Sequence, residues 1–471
     1  MIWLSLVAFV VAALVAGLIV RWMSGHASVY GNGMPQRFHL GDVPRVGGAA
    51  VLLGMCCSWV LGVAQSQWWG DSGSLRLGGW VGLWLLVVLP AAVSGIAEDL
   101  TQRLTVGYRL AFTGMSGLLA ISLLDMAVPR LGMPWLDTLL VAAPWLGLGI
   151  ALLAVTGLPH AFNIIDGYNG LAGMVAIIVC LALAHVALQV GDRGLAALLV
   201  CTAAATGGFL VWNYPRGMLF AGDGGAYIWG VVIAMASISL VQRNADVSPW
   251  FPLLLLIYPV WETLFSIYRK TVRGVSPGVA DALHFHQLIY RRIVRSVFHD
   301  DESRRILMRN NRTSPYLWAF TLLTVVPALM FWRNTWVLML FCALFVCSYV
   351  AAYMMIIRTA IRAPLMLVFA FAMAFRMGGR MAWIFLFVVP FLGAGLALVT
   401  ARTMPLFKKV FRKYDRLNRS VQENIQAMRV VKSFVRESHE EEKFAEAAGD
   451  VCTDFTRAER ILALNSPMMQ F

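Results

Sequence analysis

The chain has 471 residues, of which 59% are hydrophobic and 13% are charged, and its mean hydropathy is +0.71. This composition excludes an ordinary soluble protein and indicates a polytopic membrane protein of the all-α class. The net charge of +13 is a poor argument for a nucleic-acid partner, because the basic residues follow the membrane topology, and we expect no nucleic acid to bind.

Apolar runs long enough to cross a bilayer recur through the first 357 residues. A helix needs roughly 20 apolar residues to cross a hydrocarbon core of about 30 Å. The first run lacks a basic leader and an A-x-A site, so it is predicted to be retained rather than cleaved. We place eleven transmembrane helices at residues 2–20, 46–64, 78–97, 110–128, 138–157, 170–189, 195–214, 225–241, 250–268, 316–332 and 336–357.

Arginine and lysine accumulate in the connections that follow odd-numbered spans, whereas the opposite connections carry about one arginine each. By the positive-inside rule, the amino terminus faces outward and the odd-numbered connections face the cytoplasm. All the clusters of chemically interesting residues then lie on the cytoplasmic face. This placement is expected of an enzyme that takes one charged substrate from the cytosol and a second from the bilayer.

The stretch from His160 to Gly173 puts polar residues between two apolar runs, where a buried segment would normally stay aliphatic. Asn163, Asp166 and Asn169 need water, a metal or a ligand, because amide and carboxylate groups are costly to bury in hydrocarbon. We predict that this stretch is the central cytoplasmic loop of a binding cleft.

Three further clusters follow other odd-numbered spans. Asp223 stands in G-D-G-G, where glycines let a diphosphate approach the backbone, although a solvated turn has the same pattern. Glu98 and Asp99 are adjacent, so on a helix they point about 100° apart and do not chelate one ion together. His284 and His286 lie in a basic segment that attracts phosphate, and H-x-H alone is weak evidence for zinc.

Two other polar residues are noted because of their positions. Arg45 precedes the second span and is interpreted as a phosphate contact, with an interfacial anchor as an equal alternative. Glu262 lies inside the ninth predicted span, where a carboxylate requires a partner or a place near the cleft mouth.

Five motifs in this order resemble the polyprenyl-phosphate N-acetylhexosamine-1-phosphate transferases, which belong to glycosyltransferase family 4. The resemblance covers residues 1 to about 357. The motifs are H-L-G-D-V-P-R-V-G-G from His39, G-I-A-E-D from Gly95, N-I-I-D-G-Y-N-G-L-A from Asn163, G-F-L-V-W-N-Y-P-R-G-M-L-F-A-G-D-G-G from Gly208 and S-P-G-V-A-D-A-L-H-F-H-Q-L from Ser276.

The resemblance implies a multi-pass enzyme of the bacterial inner membrane with its active site toward the cytoplasm. A phosphate oxygen of undecaprenyl phosphate attacks the β-phosphorus of a UDP-N-acetylhexosamine and releases UMP, with Mg²⁺ present and Mn²⁺ as an alternative. A homodimer is a further expectation. The implied catalytic residues are Glu98, Asp99, Asp166 and Asp223, with Asp223 as the metal ligand, and the implied substrate-binding residues are Asn163, Asn169, Phe220, Arg45, His284 and His286.

The implied roles differ among these residues. Phe220 would stack on uracil, Glu98 and Asp99 would bind or deprotonate the lipid phosphate, and the histidines would hold the diphosphate. The chain departs from the family pattern at Glu98 and at Asn169, where aspartates are usual, so hydrogen bonding is the role expected of Asn169. The motif H-F-H-Q, together with D-A-L before it, resembles the family branch that initiates O-antigen, hence lipopolysaccharide, or exopolysaccharide synthesis more than the peptidoglycan branch.

The character of the sequence changes at about residue 361. One or two membrane segments are followed by an amphipathic pattern, which predicts a long cytoplasmic helix. Residues 361–471 resemble part of the transmembrane domain of ABC exporters, through motifs such as Y-D-R-L-N-R-S-V-Q-E-N-I-Q-A-M-R-V-V-K-S-F-V-R-E. The sequence has no G-x-x-x-x-G-K-[ST] phosphate loop, and we interpret this segment as an incomplete module.

Two functions are therefore compared. A transport protein, or an ABC-exporter-related subunit without its own ATPase, would carry its ionisable relay groups at mid-membrane. The clusters in this sequence lie at helix ends on one side, and this placement favours the enzyme.

Overall fold

The computed structural model describes residues 1–23, 43–68, 77–274, 283–294 and 302–357, together with short helical pieces between 444 and 463. Within these residues the secondary structure is helical and contains no strand. The chain forms two compact units, Met1–Arg358 and Thr359–Phe471. The site described below lies entirely in the first.

The first unit is a bundle of helices, and the prediction of an all-α membrane protein is confirmed. Ten of its helices, in the described part of the chain, are long and apolar enough to span a bilayer. The helices are α1 Ile2–Trp22, α2 Gly47–Trp68, α3 Trp80–Thr101, α4 Val106–Leu124, α5 Pro134–Ala142, α6 Pro144–Ile165, α7 Leu171–Gln189, α8 Arg193–Asn213, α9 Gly222–Arg243, α10 Trp250–Leu255, α11 Ile257–Val272, α12 Phe285–Arg292, α13 Glu302–Met330 and α14 Thr335–Ile357.

Two predicted spans are interrupted. The fifth, residues 138–157, is divided between α5 and α6 at Ala143, and the ninth does not form a single long helix. It consists of α10 and α11, which are separated by Leu256. Pro259 has no backbone N–H to donate to the carbonyl of Leu255, and the helix is interrupted at this point.

The fifth span ends later than the sequence pattern predicts. Pro144 begins α6, and the helix continues through His160 and Asn163 to Ile165. The polar residues are accommodated on the helix because His160 Nε2 lies 3.1 Å from Thr113 Oγ1 and Asn163 donates to Asp223. The predicted loop from His160 to Gly173 is therefore shorter than expected and runs only from Asp166 to Gly170.

Helix α9 is the centre of the bundle, and every residue from Gly224 to Val241 is buried. It packs against α2, α3 and α6, and its sequence is rich in Gly, Ala and Ser. Small residues allow close approach of helix backbones inside a membrane, where apolar surface alone does not drive helices together. The amino terminus of α9, which carries Asp223, is thereby held among its neighbours.

Two predictions lie outside the described residues. They are the C-terminal membrane segments after residue 361 and the long amphipathic cytoplasmic helix.

Candidate active site

The predicted site residues come from helix ends that meet at one end of the first unit, which we call the site end. Helices α3, α6 and α8 end there, and α2, α4 and α9 begin there. Asp223, in the first turn of α9, lies at the centre of these contacts.

The carboxylate of Asp99 binds the amino terminus of α9. Its Oδ1 accepts a hydrogen bond from the Asp223 N–H at 2.8 Å, and its Oδ2 accepts one from the Gly224 N–H at 2.9 Å. The first N–H groups of a helix lack partners within the helix, and a carboxylate is their most favourable acceptor. Asp99 is only 5% exposed, so the structure places it as a group that positions Asp223.

The first residues of α2 and the segment before them are bound to the segment before α9 by three backbone hydrogen bonds. Phe220 N–H donates to the Pro44 carbonyl, Gly47 N–H to the Phe220 carbonyl, and Gly48 N–H to the Ala221 carbonyl, at 2.8 to 2.9 Å. These bonds place Arg45 and the half-exposed ring of Phe220 beside the site.

The side chain of Asp223 has three partners in addition to its backbone bond to Asp99. Arg109 of α4 forms an ion pair with Oδ2, Tyr227 donates to Oδ2 at 3.2 Å, and Asn163 donates to Oδ1 at 2.6 Å. Neither Arg109 nor Tyr227 is among the site residues that the sequence motifs predict. An arginine at the start of the helix that follows E-D was the available signal.

Glu98 points away from Asp99, as the helical spacing predicts. Its Oε2 accepts a hydrogen bond from the Leu104 N–H at 2.7 Å, so it stabilises the turn between α3 and α4. The side chain is half-buried.

Asp166 ends α6 and is half-buried at the site end. Burial, reinforced by the negative charge of Asp223, raises its pKa to about 7, and Arg45 opposes this shift. Asp166 and Asp223 therefore act electrostatically on one another although they belong to different helices.

Asn169 is bound to α13 rather than to Asp223. Its N–H donates to Asn310 Oδ1 at 2.8 Å, its Nδ2 donates to Asn311 Oδ1 at 2.9 Å, and its carbonyl accepts from Ser314 Oγ at 2.6 Å. Only 1% of its surface is exposed. These hydrogen bonds are to the protein, and the substrate-binding role expected of Asn169 stays a prediction. The amino-terminal half of α13 holds the loop between α6 and α7.

His284 and His286 lie next to one another, with nearly parallel rings whose centroids are 5.4 Å apart. Both are buried. A Cβ atom added at Gly167 would lie 2.9 Å from His286 Nε2, so the second histidine is packed over the loop that carries Asp166. The structure therefore brings the histidine segment and the Asp166 loop together.

Residues 80–241 match the family model of glycosyl transferase family 4, and residues 351–471 match the ABC transporter transmembrane region. The resemblance predicted from the sequence is confirmed in both parts. The transferase match is narrower than residues 1–357, and the ABC match begins at residue 351, inside α14, rather than at 361.

Curated transferases align with a longer part of this chain than the family model does. A probable undecaprenyl-phosphate N-acetylglucosaminyl 1-phosphate transferase of Bacillus subtilis is 27% identical over 53% of this chain and 66% of its own length. Undecaprenyl-phosphate α-N-acetylglucosaminyl 1-phosphate transferases of Thermotoga maritima and Yersinia pestis are 28% and 24% identical over 29% and 54% of this chain. The chain spans 66% of the first relative and 41% of the second, which is less than two thirds of either.

The family 4 resemblance implies a divalent cation, and the residues at the site end fit one in part. No group of three or more His, Cys, Asp or Glu side chains arranged to hold a metal occurs among the described residues. Magnesium, however, is often held by one or two carboxylates with substrate phosphates as the remaining ligands. Asp223 and Asp166 are two carboxylates whose mutual repulsion a cation would relieve.

The raised pKa of Asp166 predicts a specific pH dependence of folding stability. An unfolded aspartate ionises near pH 4, whereas folded Asp166 keeps its proton to about pH 7. The folded state binds more protons between these values, so this residue lowers stability as the pH rises from about 4 to about 7. We expect Asp166→Asn, which cannot ionise, to remove that contribution.

The measurement is the melting temperature of the detergent-solubilised protein in the absence of divalent cations, at about pH 5 and about pH 8. The wild type should lose more stability between these values than Asp166→Asn does, and added Mg²⁺ should reduce the difference. Identical pH dependence in the two proteins would contradict the assignment.

Proposed function

We propose that the first unit transfers an N-acetylhexosamine 1-phosphate from a UDP-sugar to undecaprenyl phosphate. A phosphate oxygen of the lipid attacks the β-phosphorus of the UDP-sugar. A new P–O bond forms there as the bond from this phosphorus to the bridging oxygen breaks, and UMP leaves with that oxygen. The family 4 match and the activities for which the relatives are named support the lipid acceptor and the transferred group.

The observation that carries the proposal is the meeting of Asp223 and Asp166 beside two arginines. Asp223 is paired with Arg109, and Arg45 acts electrostatically on Asp166. Phosphoryl transfer requires positioning and charge neutralisation more than covalent help, so carboxylates for a cation and guanidinium groups for phosphate oxygens form a suitable set.

Each residue has a role in this scheme. Asp223 and Asp166 would hold Mg²⁺, with Mn²⁺ as an alternative, and the cation would supply positive charge against the diphosphate. Arg109, which is paired with Asp223 in this structure, would supply a guanidinium group to a phosphate oxygen. Phe220 offers a half-exposed ring on which uracil stacks.

The other predicted site residues are assigned either to the substrates or to positioning within the protein. We assign the lipid phosphate to Glu98 rather than to Asp99, because Asp99 is buried and its two oxygens accept the first N–H groups of α9. Asn163 orients Asp223, and the histidine pair contributes to the diphosphate side of the cleft.

The proposed location is the bacterial inner membrane with the site end toward the cytoplasm, where UDP-sugars are made. The distribution of arginine and lysine supports this orientation. Initiation of an O-antigen or exopolysaccharide and assembly as a homodimer stay predictions from the sequence.

The test is a panel of UDP-sugars assayed with undecaprenyl phosphate and Mg²⁺ in membranes that contain the full chain. We expect UMP release with one UDP-N-acetylhexosamine, dependence on the lipid phosphate, and little turnover with UDP-glucose. Undecaprenol without its phosphate is the matched control for the acceptor. Absence of lipid-dependent UMP release with every donor would contradict the proposal.

A further inference from the structure

A buried carboxylate away from Asp223 holds the histidine segment. Glu262 of α11 is completely buried. Its Oε1 lies 3.0 Å from His284 Nδ1, its Oε2 accepts a hydrogen bond from the Tyr349 hydroxyl at 2.5 Å, and both oxygens lie within 3.3 Å of the Phe285 N–H. The need for a partner inside the ninth predicted span is thus met.

A second set of contacts holds the residue just before His284. Arg269 Nη1 donates to the Leu283 carbonyl at 2.6 Å, and it also contacts the Tyr353 hydroxyl. The Tyr353 hydroxyl donates to the same carbonyl at 3.2 Å. Two tyrosines one helical turn apart on α14 therefore hold the segment from Leu283 to Phe285 in place.

The chemistry of a carboxylate fixes which ring nitrogen of His284 carries a proton. An ionised carboxylate only accepts hydrogen bonds, so Nδ1 of His284 must donate to Glu262. The other nitrogen, Nε2, is then the one that acts toward a ligand. A histidine whose ring is not oriented in this way would present either nitrogen.

The number of buried hydrogen bonds made by Glu262 indicates that this residue does more than fill space. Burying a carboxylate is unfavourable unless several hydrogen bonds compensate it, and an apolar residue of similar size would avoid that cost. The hydrogen bonds of Glu262 are nevertheless made to the His284 ring, the Phe285 N–H and the Tyr349 hydroxyl. These bonds fix the orientation of the His284 ring, and this ring stacks on His286 beside the Asp166 loop.

We propose that Glu262 and Tyr349 are positioning residues that fix His284 with Nδ1 toward Glu262 and Nε2 toward the substrate phosphates. The role of the histidine pair rests on the proposed function. The proposal makes α14 a part of the site, although every transferase motif precedes that helix. It also places a site contact, Tyr353, within the region that matches the ABC transporter model.

The activity test compares Tyr349→Phe with Tyr268→Phe, which removes the same hydroxyl from a residue of α11 that is 63% exposed. We expect Tyr349→Phe to lower kcat/KM by about tenfold or more, the rate equivalent of one hydrogen bond to a charged group. Tyr268→Phe should match the wild type. Retention of wild-type kcat/KM by Tyr349→Phe would overturn the proposal.

A second measurement reads the ring of His284 directly. In protein with ¹⁵N-labelled histidine, NMR distinguishes protonated from unprotonated ring nitrogens, and His284→Gln identifies the His284 signals. We expect a proton on Nδ1 in the wild type and a shift of the population toward Nε2–H in Glu262→Gln. A wild-type ring protonated only on Nε2 would overturn the proposal without any further variant.

The two measurements separate this inference from the proposed function. A wild type that shows the expected Nδ1 proton but releases no UMP with any UDP-sugar supports the orientation by Glu262 and overturns the proposed reaction. Lipid-dependent UMP release with an unchanged His284 ring in Glu262→Gln supports the reaction and overturns the positioning role.

Discussion

Asp223→Asn is expected to abolish lipid-dependent UMP release. The substitution keeps the size of the side chain, but it replaces one acceptor oxygen with an NH₂ donor and removes the charge that pairs with Arg109 and that we assign to the cation. Loss of one group that stabilises charge in a transition state lowers kcat on the order of a hundredfold to a thousandfold. Turnover is measured as UMP formed from the UDP-sugar that the panel identifies.

Asp246→Asn is the matched control. The Asp246 side chain is 71% exposed and lies 3.8 Å from Arg333, in the segment that follows α9 rather than at its site end. The same chemical change there should leave turnover unchanged. Near-normal turnover of Asp223→Asn would contradict the metal assignment, and a comparable loss in both variants would show that the effect is not specific to the site.

Gly95→Ala is expected to disrupt the close contact between α3 and the amino terminus of α9, which positions Asp223. A Cβ atom at this position would lie 2.6 Å from both Cα and N of Gly224, where the colliding atoms are backbone. The backbone there is held by Asp99, so it cannot move without breaking the hydrogen bonds to Asp223 and Gly224. We expect kcat to fall by at least about tenfold and the melting temperature to drop, because overpacking strains a close-packed interface.

Gly82→Ala tests the same substitution on the same helix. Gly82 of α3 has no atom within 4 Å of an added Cβ, so the extra methyl group meets open space. This variant should retain wild-type activity and stability. If Gly95→Ala behaved like Gly82→Ala, the close backbone contact between α3 and α9 would not be needed to hold Asp223.

The position of Asp223 depends on residues far apart in sequence, and this limits what could be predicted. Its motif and those of Asp99, Asn163 and Asp166 were recognisable because carboxylates and amides beside apolar runs are rare. Their mutual contacts were not, since Arg109 and Asp223 are 114 positions apart. Nothing local to Asp99 indicates that its carboxylate caps another helix.

Tertiary packing gives Asn169 and Glu262 hydrogen-bond partners that the sequence does not indicate. Asn169 has the residue type of a ligand-binding loop, but its N–H, Nδ2 and carbonyl groups are hydrogen-bonded to the amino-terminal half of α13. Glu262 was an isolated carboxylate in an apolar run, and its partners come from α12 and α14. A single sequence contains no record of which distant polar groups will meet.

By itself, the sequence determined that this chain is a helical membrane protein and where most of its spans lie, and it predicted which motifs form the site. These properties follow from the length of apolar runs and from local residue types, which need no knowledge of neighbours. Only the tertiary structure decided that Asp99 binds the amino terminus of α9 and positions Asp223, and that Arg109 pairs with Asp223. It also decided that α14 orients His284 through Glu262. Those relations depend on which helix ends meet, and close packing around the small residues of α9 brings those ends together.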